Sequence, residues 1–508
     1  MNGKIDKILL INPRNQACLM EDAAALNFGK MLPLGVAYLA AYLERIQYKV
    51  SVIDMIAEGF DDREALPNGR VRIGLPDAPF LARVRECAPD IIGISNLFSP
   101  QDQEIKYLAD LLKKNFPNVP IIVGGAHPSC AGEIVLSHPS IDYIVIGEGE
   151  KPLAELLRRL NGGIALDDQP AVGFKKPDGI LYINKQFDFV EDLDTLPMPA
   201  YHLFDMNKYF GKMSVQGDRI TEKFIPMITS RGCPFLCTFC TAHQVWGRRY
   251  RKRSPKKIIE EMRFLKDKYD IEEIVFEDDN ITLDMERAEK LFDLMVENKL
   301  NLQWTVPNGI AAYALTPRLI DKMQKSGCQK INFAIESGSQ RVLSEVIKKP
   351  LQLDKVGALI KYSRSIGLEV GAFFIFGMPG ETLDEVRESF RYIRKYKLLS
   401  ANISVAFPLL GSKIYETVMA NGYFVNKDSF DDIKMLSAEG FQIQTPDWTA
   451  EELKQVVKSE NAKAKFYIML TTPGLLFSFL RKSPKHILRR VLYEISVIFK
   501  SKKQWQKK

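Results

Sequence analysis

From Ile8 to Phe407 the chain repeats one unit: a short apolar run, a turn, then an amphipathic helical pattern. No other feature narrows its fold as much. Strands that alternate with helices run parallel, because each helix carries the chain back to the same end of the sheet. Buried on both faces, such strands read as continuous apolar runs. Ile8-Leu9-Leu10-Ile11 and the runs at 48–54, 90–95, 120–123 and 143–146 are of this kind, with helices expected over 35–45, 101–115 and 150–160. They predict a doubly wound, Rossmann-like α/β domain over residues 1–160.

Residues 161–224 form a connector with turn signals at Asn161-Gly162-Gly163 and Pro177-Asp178-Gly179 and a small hairpin between 171 and 183. The alternation then resumes over 225–430, with six strands at 225–230, 273–276, 302–306, 330–335, 370–376 and 403–407. Their helices are expected at 254–268, 284–297, 316–325, 339–346, 353–365 and 382–396. Residues 431–508 leave this pattern for a helical, basic C-terminal extension that starts with a helix over 450–465.

Parallel sheets place their chemistry outside the carboxyl ends of the strands. In the first domain those ends carry Asn12, Ser95, Gly124-Gly125-Ala126-His127 and Gly147-Glu148. The glycines allow backbone to approach a flat ligand, although tight turns alone also use them. In the second domain Glu277-Asp278-Asp279-Asn280 follows the second strand, Asn308 the third, Glu336-Ser337-Gly338 the fourth and Gly377-Met378-Pro379-Gly380-Glu381 the fifth. Helix capping is the alternative role for these acids.

The first strand of that domain runs into Arg231-Gly232-Cys233-Pro234-Phe235-Leu236-Cys237-Thr238-Phe239-Cys240. Three thiols stand at C-x3-C-x2-C spacing, with no second pair to complete a four-thiolate zinc site. Thiolates select iron–sulfur clusters, zinc or copper(I). Three cysteines on a four-iron cluster leave one iron open, which suits catalysis more than electron storage. A disulfide or a chance grouping fits poorly with three of seven cysteines falling within eight residues. Cys18, Cys87, Cys130 and Cys328 read as small buried hydrophobes.

Seven cysteines in 508 residues are no disulfide scaffold and suit a reducing cytoplasm. The charged start, Met1 to Lys7, runs straight into a strand and does not read as a signal peptide. No apolar run reaches the ~18 residues of a spanning helix. The net charge of +7 is concentrated at the end: residues 481–508 hold ten Lys/Arg and one acid, leaving 60 basic and 62 acidic residues elsewhere. A nearly neutral body does not indicate nucleic-acid binding. The basic amphipathic tail suits either the anionic inner face of a membrane or packing against the protein.

The cysteine stretch, with Phe239 just before its last thiol, resembles the radical S-adenosylmethionine (SAM) superfamily, whose domain is a partial (β/α)6 TIM-type barrel. Ile121 to Pro128 and Ile146 to Glu150 resemble the cobalamin-binding domain that precedes this barrel in one large subfamily, and Asp192 to Ala200 resembles the lead-in between the two. The resemblance implies a 4Fe–4S cluster on Cys233, Cys237 and Cys240, with Phe239 beside SAM. Glu277, Asp278 or Asp279 would receive the SAM amino group, although Phe276-Glu277-Asp278-Asp279 stands where the family has Gly-Gly-Glu, so the choice of acid stays open. Glu336 would take the ribose hydroxyls. Asn12, Ser95, Gly124, Gly125, His127, Gly147 and Glu148 would border cobalamin. Residues 12–35 contain no His, so no protein imidazole is expected below cobalt.

By the same resemblance, an external reductant such as flavodoxin or ferredoxin supplies an electron, SAM yields a 5′-deoxyadenosyl radical, and methylation of an unactivated carbon follows. The basic tail and the aromatic content point to an apolar small-molecule substrate, a lipid or a tetrapyrrole. Oxidative cyclisation of the anaerobic magnesium-protoporphyrin ester cyclase type, and a non-catalytic cobalamin or iron–sulfur sensor, are the competing readings.

Overall fold

The computed structural model describes residues 4–18, 30–211, 214–215, 218–219, 221–425 and 441–472. Five parallel strands form the first sheet, in spatial order Tyr143–Val145, Ile121–Gly124, Ile91–Ser95, Lys7–Asn12 and Lys49–Asp54. Sequence order reverses between Lys7–Asn12 and Ile91–Ser95, which pair Leu9 with Ile92 and Ile11 with Ile94. A reversal opens a crevice at the carboxyl ends, because the two following helices leave on opposite faces. Asn12 and Ser95 stand at its two sides.

The apolar runs are buried on both faces, as parallel strands require. Ile8 and Leu10 join a core continuous with the barrel, whereas Leu9 and Ile11 face a separate core with Ile105 and Leu108 of helix Asp102–Asn115. The hairpin of the connector, Val172–Lys175 and Leu181–Ile183, pairs antiparallel onto Tyr143–Val145 and extends the sheet to seven strands. A second, small antiparallel sheet of Asn15–Cys18, Arg63–Ala65 and Arg70–Ile73 was not foreseeable from apolar periodicity. Arg70 and Arg72 are buried there, and Arg72 is held by Glu104 at 2.9 Å.

The second unit is the expected partial barrel. Phe224–Met227, Glu273–Phe276 and Gln303–Thr305 pair in parallel, as do Lys330–Glu336, Glu369–Phe376 and Ser400–Val405. Parallel bridges Trp304–Cys328 and Ile310–Phe333 join the two halves. Ser254, Asp284, Thr316 and Thr382 cap the N-termini of its helices with their side-chain oxygens. The helix expected at 339–346 is a wider π turn at Val342–Ile347. Helix Ala450–Leu470 begins with a Thr449/Glu452 capping box and packs on Leu383–Lys395. The basic tail lies outside the described residues, and no described helix is long and apolar enough to cross a membrane. Cys328 is buried, and Cys87 and Cys130 are half-buried.

Candidate active site

The cysteine loop is closed at its base before any metal is considered. Ser230–Arg231 pairs antiparallel with Arg251–Lys252, so residues 232–250 leave and re-enter the barrel rim at one point. Gly232 turns the chain at φ +88°, where an added Cβ would stand 2.2 Å from the Arg249 carbonyl oxygen; only glycine fits. Thr238 N–H donates to Ile347 O and its hydroxyl to Val346 O, both at 3.0 Å. Val346 and Ile347 end the π turn, so their carbonyls have no partner within it. Ile414 N–H donates back to Thr238 O.

Cys233, Cys237 and Cys240 are free thiols on this loop, each half-buried, and each close enough to the others to feel their charge. Burial pushes all three up, Cys237 to about 11 and Cys240 to about 12, so as thiols they stay protonated at neutral pH. A metal deprotonates them on binding and its affinity gains with pH. Among the described residues, no three His, Cys, Asp or Glu converge tightly enough to hold one metal ion. Phe239 lies half-buried against the barrel core beside them.

Of the acids after the second strand, Asp278 is fully buried. It accepts from Thr229 N–H at 3.0 Å and Thr229 Oγ1 at 2.7 Å, and from the Ser230 hydroxyl. It pins the start of the cysteine loop and presents no surface to a ligand. Glu277 and Asp279 are the acids left accessible to a ligand. Glu277 accepts from Asn308 Nδ2 at 2.8 Å. Asp279 lies near Cys233 and Cys240, and desolvation by the surrounding protein atoms followed by the Asp278 charge raises it to about 6.

Glu336 stands at a bulge in the fourth strand with φ +72°, unusual for a residue with a side chain. Such positions persist where surrounding structure enforces them and cluster at functional sites. Its carboxylate meets Lys349 Nζ at 2.8 Å, and its charge reaches Cys237. Lys349, buried and close to Cys233 and Cys237, was not legible in the sequence: it comes from thirteen residues downstream, around the π turn.

In the first domain Asn12 Nδ2 donates to Asp54 at 2.9 Å, and Tyr209 Oη to the same carboxyl at 2.6 Å. Gly125 sits at φ +118° with its would-be Cβ 2.6 Å from the Asn96 carbonyl, while Gly124 has ordinary room. Gly147, at φ +71°, lies against the Phe187 ring. Beyond Ser95, Leu97 and Phe98 are 46% and 59% exposed at the mouth of the crevice. Paired exposed apolar side chains at a switch point suit a flat, largely apolar face. His127 is buried, with Nδ1 3.0 Å from Ser99 Oγ and Nε2 3.5 Å from Asp102. It braces the loop after Ser95 against helix Asp102–Asn115. Residues of this kind at the carboxyl ends of the strands would border a flat ligand in the crevice.

Glu148 is not in that crevice wall alone. It is buried and meets Arg251 at 2.6 Å and Arg231 at 3.5 Å; Glu150 meets Arg231 at 2.7 Å. The acids that end the first sheet thus hold the two arginines that begin and end the cysteine loop.

Two family descriptions match the chain: the B12 binding domain over residues 24–157 and the radical SAM superfamily over residues 227–393. The cytidylyl-2-hydroxyethylphosphonate methyltransferase of Streptomyces wedmorensis is 33% identical over 492 residues, covering 90% of each chain. The chain belongs to the cobalamin-dependent radical SAM family. As such an enzyme it uses a 4Fe–4S cluster, SAM and cobalamin. The anaerobic magnesium-protoporphyrin IX monomethyl ester cyclase of Rubrivivax gelatinosus is 25% identical over 81% of this radical SAM enzyme and 69% of the cyclase. The fold is shared with the cobalamin-dependent SAM radical enzyme OxsB, at a TM-score of 0.67 and 16% identity over 99% of this chain and 80% of that one.

Proposed function

We propose that this enzyme methylates an unactivated carbon of a small molecule held between the sheet crevice and the cysteine loop. The observation that supports this is the 33% identity over 90% of the chain to a methyltransferase, with the Arg231–Glu150 pair joining the two units that would carry the cofactors. When bound, the reduced cluster with SAM supplies hydrogen abstraction from carbon and cobalamin supplies the methyl group. The chain's own residues position and shield. Cys233, Cys237 and Cys240 hold the cluster, Glu277 or Asp279 receives the SAM ammonium, and Glu336 receives its ribose hydroxyls. A carboxylate suits an ammonium through a charge-assisted hydrogen bond. Leu97 and Phe98 keep water from the cobalamin face.

For the substrate, the relative with 33% identity acts, by its name, on a cytidylyl phosphonate, and this favours a phosphonate- or phosphate-bearing molecule. The name of the Rubrivivax relative favours an apolar tetrapyrrole and oxidative cyclisation. The higher identity and fuller coverage of the first relative favour methylation. The test is anaerobic turnover with methyl-labelled SAM. We expect the label in a new carbon-bound methyl group, with 5′-deoxyadenosine formed alongside. 5′-Deoxyadenosine with an unlabelled, oxidised product would instead establish cyclisation.

A further inference from the structure

A cluster that cleaves SAM must gain one electron to do so. A route for that electron is visible on the barrel rim. A cavity of about 830 Å³ opens beside the cysteine loop, lined by Pro234, Phe235 and Leu236 and by Lys348, Lys349 and Lys355. Three features set it apart from the substrate space.

No residue of the first domain lines it, so it reaches the loop from the side away from cobalamin. No acid lines it, and Lys348 and Lys355 are exposed and pair with no acid among the described residues. Leu236, between two cluster cysteines, is 56% exposed at its edge, and Pro234 is exposed beside it. The cluster-bearing loop is therefore both apolar and solvent-facing beside two lysines unpaired among the described residues, Lys348 and Lys355, with Lys349 held by Glu336. A second cavity on the same face shares Gln340, Gln352 and Lys355 but is of mixed charge, with Asp354 and with Glu388 paired to Arg391, so the positive rim ends at Lys355.

We propose that this face docks the reductant: a small acidic flavin or iron–sulfur protein that seats over Leu236, steered by Lys348 and Lys355. The donor loses one electron, the cluster gains it, and no atom is exchanged. Charge complementarity of this kind raises encounter rates and makes them fall with salt. An apolar centre inside a charged rim is the usual anatomy of such contacts. The proposal rests on the radical SAM assignment but not on methylation.

The test compares cluster-reconstituted full-length enzyme with the double variant Lys348→Glu/Lys355→Glu. Cluster reduction is followed by bleaching of its visible absorbance, with reduced flavodoxin in one arm and the small methyl viologen radical cation in the other. We expect the flavodoxin rate to fall about tenfold or more in the variant and to fall with salt in the parent, while the viologen rate does not drop. An unchanged flavodoxin rate would overturn the proposal, as would an equal loss with both donors. Leu236→Asp, which leaves the lysines in place, is expected to slow flavodoxin alone; failure to do so counts against docking over the loop. Methylation enters neither readout, so a wrong reading of the product leaves this test intact.

Discussion

Arg231 reaches Glu150 at 2.7 Å across the seam between the sheet and the barrel, with both side chains about 4% exposed. Arg231 begins the cysteine loop and Glu150 begins the helix after the last parallel strand. Tyr38 and Trp246 flank the guanidinium at 5.3 and 4.9 Å, so a cation is enclosed by two rings and two acids. The distance between the two cofactor sites therefore depends on a buried ion pair as well as on shared apolar core.

Removing one partner of a buried pair leaves a desolvated charge, at a cost of about 3–5 kcal/mol. Glu150→Ala is expected to lose about that much in denaturant unfolding, less if Glu148 closes on Arg231. If the pair sets cofactor separation, the ratio of 5′-deoxyadenosine to methylated product rises in Arg231→Lys, which keeps the charge but shortens the reach. An unchanged ratio would assign the pair to stability alone.

Each of Cys233→Ala, Cys237→Ala and Cys240→Ala is expected to lower bound iron and abolish SAM cleavage, because a cluster needs all three thiolates. Cys328→Ala, in the barrel core, is expected to leave iron content unchanged. Iron and 5′-deoxyadenosine assays read both outcomes.

Gly125→Ala forces a methyl group to 2.6 Å from a backbone carbonyl at φ +118°. It is expected to cost about 2 kcal/mol or more and to weaken cobalamin retention, since the Gly125 loop borders the crevice. Gly35→Ala, in the first helix, meets nothing within 4 Å and serves as the control. Cobalamin retained after gel filtration separates the two.

Burial raises Glu381 from its ordinary value of 4.5 to about 8, against the pull of Gly377 and Met378 N–H groups that it accepts at 2.8 and 3.3 Å. Its folded value lies above its unfolded one, so the folded state holds the extra proton between the two. Its contribution is present in full below the unfolded value and is lost as pH rises through about 8. Glu381→Gln keeps an acceptor for both N–H groups and removes the titration. Stability at pH about 8 is expected to rise by about 1–3 kcal/mol, with little change near pH 5. A pH dependence equal to the parent's in thermal melts would refute this.

Much of the fold was open to reading from the apolar runs. A buried parallel strand announces itself by continuous apolar character, and Ile8 to Ile11 or Val370 to Phe376 do so. The small sheet built on Arg70-Val71-Arg72-Ile73 did not, because the buried Arg72 guanidinium looks solvent-facing until Glu104 and Glu64 arrive from elsewhere. The hairpin of the connector was legible as a hairpin, but which sheet it would join was not.

The same divide runs through the site. Sequence alone determined the three thiols, their spacing and the acids that end the barrel strands, because a loop carries its ligands wherever it folds. Only the tertiary structure decided what each acid does. Asp278 and Glu277 are neighbours in the chain, yet alternation along a strand end turns one inward to Thr229 and the other toward Asn308. Glu148, expected beside cobalamin, is also held by Arg251 of the second unit, and Glu150 is held by Arg231. Ion pairs across a seam link residues about eighty to a hundred positions apart, and no local pattern records such a partner.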